Sequence, residues 1–332
     1  MVLLGWFNTA SMNAARYQHT ASVLTNGKVL VTGGYNGNSS LNSTELYDPS
    51  TGTWTTTSSM NVARYQHTAS VLTNGKLLVT GGYNGNSSLN STELYDPSTE
   101  TWTTTSSMNV ARNLHTASVL TNGKVLVTGG YNGNSFLNST ELYDPSTETW
   151  TTTSSMNNAR YLHTASVLTN GKVLVTGGLT DAVYPNSAEL YDPSMGAWAT
   201  TGSMNNSRYG YTTSVLANGK VLVTGGYYVN LVISSELYDP STGTWTTTGS
   251  MNIGRLFHTA SVLTNGKVLV TGGYYGSPTN STELYDPTTG TWTRTASINA
   301  ARYYHTASVL ENGNVLVTGG LGNITLNSSE LY

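Results

Sequence analysis

A short apolar run followed by two glycines recurs along the chain. Its first copy is Val29-Leu30-Val31-Thr32-Gly33-Gly34. A β-branched, apolar run of this length suits a strand buried on both faces, and Gly-Gly permits positive φ and close backbone approach. A period near 50 residues built of strands predicts a radial array of sheets. Seven copies lie 47 or 48 residues apart and begin at Val29, Leu77, Val125, Val173, Val221, Val268 and Val315.

Turn-forming residues divide each repeat into four predicted strands. In the first repeat, strand A covers about His19–Leu24 and strand B about Lys28–Thr32, and the Asn-Gly between them is the strongest short hairpin signal. A polar loop at Tyr35–Asn42 leads to strand C at about Ser43–Tyr47. An Asp-Pro turn then precedes strand D at about Thr53–Thr57. Four short antiparallel strands per repeat are typical of one blade of a β-propeller.

The two ends of the chain resemble halves of one repeat. Residues 1–12 match the end of a repeat, because their Trp stands ten residues before an Arg, as in the later repeats. The chain stops where that part of a repeat would follow. We therefore predict that residues near Leu3–Ser11 pair with Ser328–Tyr332 and close the ring. On this interpretation residues 1–332 form a single domain, and residues 1–12 complete its last blade.

Two sequence patterns carry a resemblance to a known family. The spacing of Gly33-Gly34, Tyr47 and Trp54 resembles the kelch repeat, and the match covers essentially the whole chain in seven registers. The sequence motifs Asn-Gly-Lys-Val-Leu-Val-Thr-Gly-Gly and Glu-Leu-Tyr-Asp-Pro are also similar to motifs in the propeller domain of galactose-oxidase-like proteins. The resemblance implies an all-β, seven-bladed kelch-type β-propeller whose last blade is shared between the termini. It also implies a ligand-binding face at one end of the channel.

The resemblance to galactose-oxidase-like proteins does not extend to their chemistry. Their copper-radical site needs a cysteine cross-linked to a tyrosine, together with tyrosine and histidine ligands. This chain contains no cysteine. We therefore expect the propeller of that family without its oxidase site.

Charged residues are few, and most of them recur once per repeat. Arg16 and Glu45 have counterparts in every repeat, which predicts buried structural pairs. Lysines repeat in the Asn-Gly turns and aspartates in the Asp-Pro turns. A general acid–base pair or a carboxylate metal site needs charged groups at one unique location. We therefore expect no enzymatic activity and no cofactor. The charged residues outside the pattern are Glu100, Glu148, Asp181, Arg294 and Glu311.

Charge and hydropathy narrow the class of partner. A net charge of −3 gives no general attraction to nucleic acid or to an anionic membrane surface. No apolar run is long enough to span a bilayer. We expect a monomer that serves as a non-catalytic binding or scaffold module for a protein, a peptide or a glycan. The alternatives are a degenerate propeller enzyme and a purely structural repeat protein.

Histidine opens strand A in six of the seven repeats, and Tyr211 replaces it in the fifth. The favoured interpretation is a histidine whose ring nitrogens bond to backbone or water. The alternative is a ring of imidazoles that binds a transition metal near the channel. Metal sites need two to four ligands converging at about 2.0–2.2 Å from one ion, which a ring spread over seven blades does not favour. The histidines are His19, His67, His115, His163, His258 and His305.

The repeats differ mainly in two segments, the loop after Gly-Gly and the segment after the repeated arginine. In a four-stranded blade these B–C loops and D–A links emerge on the same face. Tyrosine with asparagine and serine suits adaptable recognition of a peptide and also of a sugar, although such loops can simply be solvated. We predict a ligand-binding site at this end of the channel. Its predicted residues are Tyr17, Tyr35, Asn36, Tyr65, Tyr83, Asn84, Tyr131, Asn132, Tyr161, Tyr209, Tyr227, Tyr274 and Tyr303.

Overall fold

The computed structural model describes residues 5–180 and 185–332. The regular structure of these residues is β throughout, and none of them form a helix that could cross a membrane. Seven four-stranded antiparallel sheets form the blades of a closed ring, in which the innermost strand of each blade contacts those of both neighbours. The predicted all-β, seven-bladed propeller is confirmed. The predictions about Leu3 and Asp181 fall outside the described residues.

Each blade is numbered in chain order, and its strands are called A to D from the channel outward. The first β-strand of the chain, β1 (Phe7–Thr9), is strand D of blade 7. Blades 1 to 3 consist of β2 (Thr20–Val23), β3 (Val29–Thr32), β4 (Thr44–Asp48) and β5 (Thr53–Thr57); β6 (Thr68–Val71), β7 (Leu77–Thr80), β8 (Thr92–Asp96) and β9 (Thr101–Thr105); and β10 (Thr116–Val119), β11 (Val125–Thr128), β12 (Thr140–Asp144) and β13 (Thr149–Thr153).

Blade 5 carries a short additional hairpin in its B–C loop, formed by β20 (Tyr227–Tyr228) and β21 (Asn230–Leu231). The remaining strands of blades 4 to 7 are β14 (Thr164–Val167), β15 (Val173–Thr176), β16 (Ala188–Asp192) and β17 (Ala197–Thr201); β18 (Thr212–Val215), β19 (Val221–Thr224), β22 (Ser235–Asp239) and β23 (Thr244–Thr248); β24 (Thr259–Val262), β25 (Val268–Thr271), β26 (Thr282–Asp286) and β27 (Thr291–Thr295); and β28 (Thr306–Val309), β29 (Val315–Thr318) and β30 (Ser329–Leu331).

The two ends of the chain pair as predicted and close the ring. Strand β1 runs antiparallel to β30, with Phe7 opposite Leu331 and Thr9 opposite Ser329. Within the described part of the predicted range Leu3–Ser11, the paired residues are Phe7–Thr9. Just before β1, the indole of Trp6 donates a hydrogen bond of 2.8 Å to the carbonyl oxygen of Ala296 in blade 6. Blade 7 therefore takes three strands from one end of the chain and one from the other.

The core lies between the blades. Successive side chains of a strand point to opposite faces of its sheet, so strand B of each blade contributes to two interfaces. Val29 and Val31 pack with Leu316 of blade 7, whereas Leu30 packs with Val79 of blade 2. The repeated tryptophan joins adjacent blades. Trp54 is buried, and its Nε1 donates a hydrogen bond of 2.9 Å to the carbonyl oxygen of Ala10, in the link that precedes blade 1.

The Gly-Gly pair after strand B allows neighbouring blades to approach closely. Gly33 and Gly34 both have positive φ, at 58° and 99°. A Cβ atom on Gly33 would collide with the carbonyl oxygen of Arg64 in the next blade and would lie 2.9 Å from the ring of His67. The N–H of Gly34 donates to that same Arg64 oxygen at 2.8 Å. The glycines are therefore required by an inter-blade backbone contact that recurs around the ring.

Candidate functional site

The B–C loops and D–A links lie side by side at one end of the channel, and we call this surface the loop face. In blade 1 the N–H of Tyr17 donates to the carbonyl of Tyr35 at 3.0 Å, and the reciprocal bond measures 2.9 Å. Each blade repeats this antiparallel bridge. The bridged pairs are Tyr17–Tyr35, Tyr65–Tyr83, Asn113–Tyr131, Tyr161–Leu179, Tyr209–Tyr227, Leu256–Tyr274 and Tyr303–Leu321.

A buried ion pair fixes both segments of each blade. Arg16 Nη1 donates to the carbonyl oxygens of Gly33 (2.7 Å) and Ser43 (3.0 Å), and its Nη2 donates to Glu45 at 2.8 Å. Glu45 also accepts from the backbone N–H of Asn13 at 2.6 Å. Burial lowers the pKa of Arg16, and the hydrogen bond and charge of Glu45 oppose that shift. The predicted pairing is found in all seven blades, as Arg16–Glu45, Arg64–Glu93, Arg112–Glu141, Arg160–Glu189, Arg208–Glu236, Arg255–Glu283 and Arg302–Glu330.

The predicted tyrosines lie half-buried on the loop face and pack against one another in arcs. The ring centroids of Tyr17 and Tyr35 are 5.7 Å apart, and Tyr35 lies 5.3 Å from Tyr65 of the next blade. Burial raises the pKa of Tyr17 and of Tyr65. A second arc stacks Phe136 on Tyr161, with centroids 4.5 Å apart. Among the described residues the arcs do not form continuous rings, because the bridges include Asn113, Leu179, Leu256 and Leu321 in place of tyrosine.

The predicted asparagines have a role inside their own loops. Asn36 Oδ1 accepts from the backbone N–H of Asn38 at 2.9 Å and of Ser39 at 2.8 Å, which closes an Asx turn. Asn84 and Asn132 make the same contacts in blades 2 and 3. Their side-chain oxygens therefore shape the loops. That any of the thirteen predicted residues binds a ligand stays a prediction.

One residue per blade, missed by the prediction, lies at the channel mouth. It stands between the bridged position and the residue that opens strand A, and it adopts a left-handed conformation, as in Gln18 with φ of 51°. Its N–H donates to the equivalent carbonyl of the preceding blade, for example Gln66 to Gln18 at 3.1 Å. We call this set the mouth belt. Its members are Gln18, Gln66, Leu114, Leu162, Gly210, Phe257 and Tyr304.

The histidines below the mouth belt bind the preceding blade. His67 Nε2 lies 3.0 Å from Thr20 Oγ1 and 3.1 Å from Thr32 Oγ1. Burial, with a smaller effect of the Arg64 charge, lowers the pKa of His67 to about 3, so its ring is neutral at pH 7. The partners of Nε2 are threonine hydroxyls, which the sequence analysis did not name. Tyr211 takes the same place in blade 5, where its hydroxyl lies 2.7 Å from a threonine hydroxyl.

The structure gives no support to the alternative in which the histidines hold a metal. Among residues 5–180 and 185–332, no group of three or more His, Cys, Asp or Glu could hold a metal ion. The channel itself is a cavity of about 550 Å³ lined by the histidine, threonine and alanine side chains of the A strands.

The loop face differs from one side of the mouth to the other. On one side, the Gln66 side chain donates to Gln18 at 3.3 Å, and the nearby loops are rich in asparagine, glycine and serine. On the other side, the rings of Phe257 and Tyr304 stack with centroids 4.1 Å apart. The B–C loops of blades 5 to 7 also expose apolar side chains, which are Tyr228, Val229, Ile233, Tyr275 and Ile324. The repeated blades thus present an asymmetric surface.

Two family models match the sequence of this propeller. The KLHDC2/KLHL20/DRC7 Kelch-repeats domain matches residues 7–178, and the Kelch motif matches residues 160–205, 208–252 and 255–299. The chain belongs to the kelch-repeat family. Kelch propellers are commonly protein-binding modules. No curated protein matches the kelch chain.

A solved structure is also similar to this kelch propeller. It is described as "Novel fungal alcohol oxidase with catalytic diversity among the AA5 family, in complex with copper". The match has a TM-score of 0.81 and 20% sequence identity, and it covers 99% of this chain and 76% of the other. At this identity the likeness shows the fold. The present chain has no cysteine, and its described residues bring no metal-binding group together, so they do not fit a copper centre of that kind.

Proposed function

We propose that this kelch propeller is a non-catalytic binding module that holds a protein or peptide segment on the loop face. The observation that carries the proposal is the contrast between the loop face and the opposite face of the propeller. At the opposite face the Asn-Gly and Asp-Pro turns repeat nearly unchanged, with exposed Lys–Asp pairs in six blades. On the loop face, buried arginines hold a constant backbone that presents side chains differing from blade to blade.

The packing of the loop residues favours a peptide over a glycan. A sugar site would use amide groups for hydroxyls and open aromatic faces for stacking. Here the oxygens of Asn36, Asn84 and Asn132 accept backbone hydrogen bonds, and many tyrosine rings already pack on aromatic neighbours. Exposed aliphatic and aromatic side chains beside the mouth instead suit a protein partner.

The test is to probe the labelled protein against a peptide array and a glycan array, and then to map the site of the strongest ligand. The double variant Tyr83→Ala with Tyr131→Ala changes the loop face. Truncating an aromatic hot spot costs at least about 2 kcal/mol, roughly 30-fold in Kd. The matched control is Lys76→Ala with Lys124→Ala on the opposite face, which should leave Kd unchanged. Affinity lost in the lysine variant and kept in the tyrosine variant would contradict the proposal.

Turnover separates this proposal from the enzyme alternative. A binding module gives saturable binding with no chemical change in the ligand. We expect the purified protein to return the array ligand intact after prolonged incubation, as judged by mass spectrometry. A modified ligand would favour a propeller enzyme instead.

A further inference from the structure

The mouth belt is interrupted between blades 4 and 5. Six of its seven N–H groups donate to the belt carbonyl of the preceding blade, at 2.8–3.2 Å. Among the described residues, no hydrogen bond joins the N–H of Gly210 to the carbonyl of Leu162, and no other partner is found for either atom. A backbone donor and acceptor left unpaired at a partly buried position are satisfied by water or by a ligand. At this break, therefore, the main-chain groups of another peptide can form hydrogen bonds with the Gly210 N–H and the Leu162 carbonyl.

A cavity of about 230 Å³ lies at this break. Its walls at the mouth are Leu162, Phe257 and Tyr304, and Gly210 lies between them. A Cβ atom on Gly210 would lie 2.8 Å from the Phe257 ring, so a larger belt residue would fill this space or displace the ring. The floor is formed by the histidine layer, where burial lowers the pKa of His258 to about 3 and keeps that ring neutral. The cavity is thus apolar at its walls and uncharged at its floor.

The described residues around this cavity supply no unpaired charge to an occupant. Within the described part of the loop face, the repeated Arg and Glu side chains are buried and paired with each other. The exposed Lys–Asp pairs lie in the turns at the other end of the blades. A carboxylate or an ammonium group entering the cavity would lose water without gaining a counter-charge from the residues that the structure describes.

We propose that the break between blades 4 and 5 binds a neutral peptide segment. Main-chain groups of the segment pair with the Gly210 N–H and the Leu162 carbonyl, and an adjacent aliphatic or aromatic side chain occupies the cavity. The exposed Val229, Tyr275 and Ile324 of the neighbouring loops extend the apolar surface for flanking residues. This inference rests on the proposed function, because it takes the loop face as the binding face, and it names the chemistry of the ligand.

The probe is a capped amino acid, which carries a side chain and peptide groups and no charge. We would titrate the ¹⁵N-labelled full chain with N-acetyl-tryptophanamide and N-acetyl-leucinamide and follow the Gly210 amide by NMR. A ligand of this size should bind with Kd on the order of 1 mM. We expect a saturable shift of the Gly210 amide with both probes. N-acetyl-glycinamide lacks the side chain and N-acetyl-aspartate carries charge, so neither should saturate. Equal shifts with all four probes, or none with the first two, would overturn the proposal.

Variants test the geometry of the cavity. Gly210→Gln installs the belt residue of blades 1 and 2, which adopt the same left-handed conformation, and it should weaken binding of the probes at least tenfold. Gln66→Gly, on the opposite side of the mouth, is the matched control and should leave Kd unchanged. If Gly210→Gln lowers the melting temperature markedly, Phe257→Leu replaces it, since leucine occupies the belt in blades 3 and 4. This variant should reduce the preference for the tryptophan probe at least threefold. Unchanged binding in a folded variant would overturn the proposal.

The array ligands separate this inference from the proposed function. A peptide that loses affinity with Tyr83→Ala and Tyr131→Ala, and keeps it with Gly210→Gln, would leave the binding module standing and overturn the cavity site. Capped amino acids that bind at Gly210, together with array ligands that map to the opposite face, would overturn the proposed function and leave the cavity as a small-ligand site.

Discussion

At the scale of single residues, the histidine layer links the stability of the ring to pH. Each histidine is buried, and its Nε2 lies 3.0 Å from a threonine hydroxyl of the preceding blade. Burial is the main cause that lowers the pKa of His67, His163 and His258 to about 3, and it also lowers the pKa of His19, His115 and His305 well below the ordinary value. At pH 7, therefore, the contacts between neighbouring blades in this layer are made by uncharged imidazole rings.

This layer should make the protein sensitive to mild acid. An unfolded histidine gains a proton below pH about 6.5. In the folded protein His67, His163 and His258 stay neutral until pH about 3, and the pKa values of the other three histidines also lie well below 6.5. The histidines therefore contribute stability that is fully present above pH 6.5 and is lost as pH falls towards 3. Since there are six of them, unfolding near pH 5 should take up about six protons from this source. Urea unfolding between pH 4.5 and 7.5 measures the uptake, and a value near zero would contradict the prediction.

The chain supplies a matched control for the acid effect. His115→Tyr copies the arrangement of blade 5, where the Tyr211 hydroxyl lies 2.7 Å from Thr176 Oγ1. We expect this variant to fold and to take up one proton fewer on unfolding. His115→Ala also removes the proton, but it leaves a cavity and unpaired hydroxyls, so it should cost about 2–4 kcal/mol. Equal losses of stability in the two variants would show that tyrosine does not replace histidine here.

At the scale of elements, each Arg–Glu pair joins three backbone segments of its blade. Glu141 accepts from the backbone of Asn109 and Val110, and Arg112 donates to the carbonyls of Gly129 and Ser139. Breaking a buried pair leaves an uncompensated charge, so Arg112→Met or Glu141→Gln should each cost roughly 3–5 kcal/mol of unfolding free energy. The control Lys124→Met breaks an exposed pair with Asp144 and should change little. Urea unfolding gives the comparison, and indistinguishable effects in the three variants would refute it.

The strands were predictable from sequence because local signals and the repeat agree. Strand D was predicted at Thr53–Thr57 and is observed there, and strand A falls inside its predicted range, at Thr20–Val23. Asn-Gly and Asp-Pro turns fix the register of the neighbouring strands. The hairpin Tyr227–Leu231 was not predicted, because it occurs once and no turn signal of its own marks it.

The mouth belt was beyond sequence reasoning for a physical reason. Gln, Leu, Phe and Tyr seldom adopt positive φ, so nothing in their identity indicates the left-handed conformation. That conformation is imposed by hydrogen bonds between neighbouring blades, which exist only in the closed ring. Comparison of the repeats did show that this position varies. The candidate site was thus predictable as a face, whereas its mouth belt and cavity required the assembled blades.

At the scale of the whole molecule, nearly identical blades carry a loop face that differs from blade to blade, because the residues that hold the ring together are not the ones exposed on that face. Glycine and histidine at fixed positions join neighbouring blades, and arginine and glutamate at fixed positions hold the segments of each blade together. Loop residues whose backbone is already held can then change without loss of the ring. The single interruption of the mouth belt at Gly210 follows the same rule, since the blade 5 ion pair of Arg208 and Glu236 is kept beside it.

Closure of the ring is the property that no single blade can supply. Blade 7 depends on β1 for its outer strand, and Trp6 packs with Ile298, Val315 and Val317 between blades 6 and 7. Trp6→Ala should therefore cost about 3–5 kcal/mol, and deletion of residues 1–11 should cost more, because the pairing with β30 is also lost. Phe7→Ser is the matched control, since the neighbouring residue Phe7 is 52% exposed, and it should change stability by no more than about 0.5 kcal/mol. Thermal unfolding of the three variants measures the order of their stabilities. A deletion variant as stable as the intact chain would show that the ring closes without its N-terminal strand.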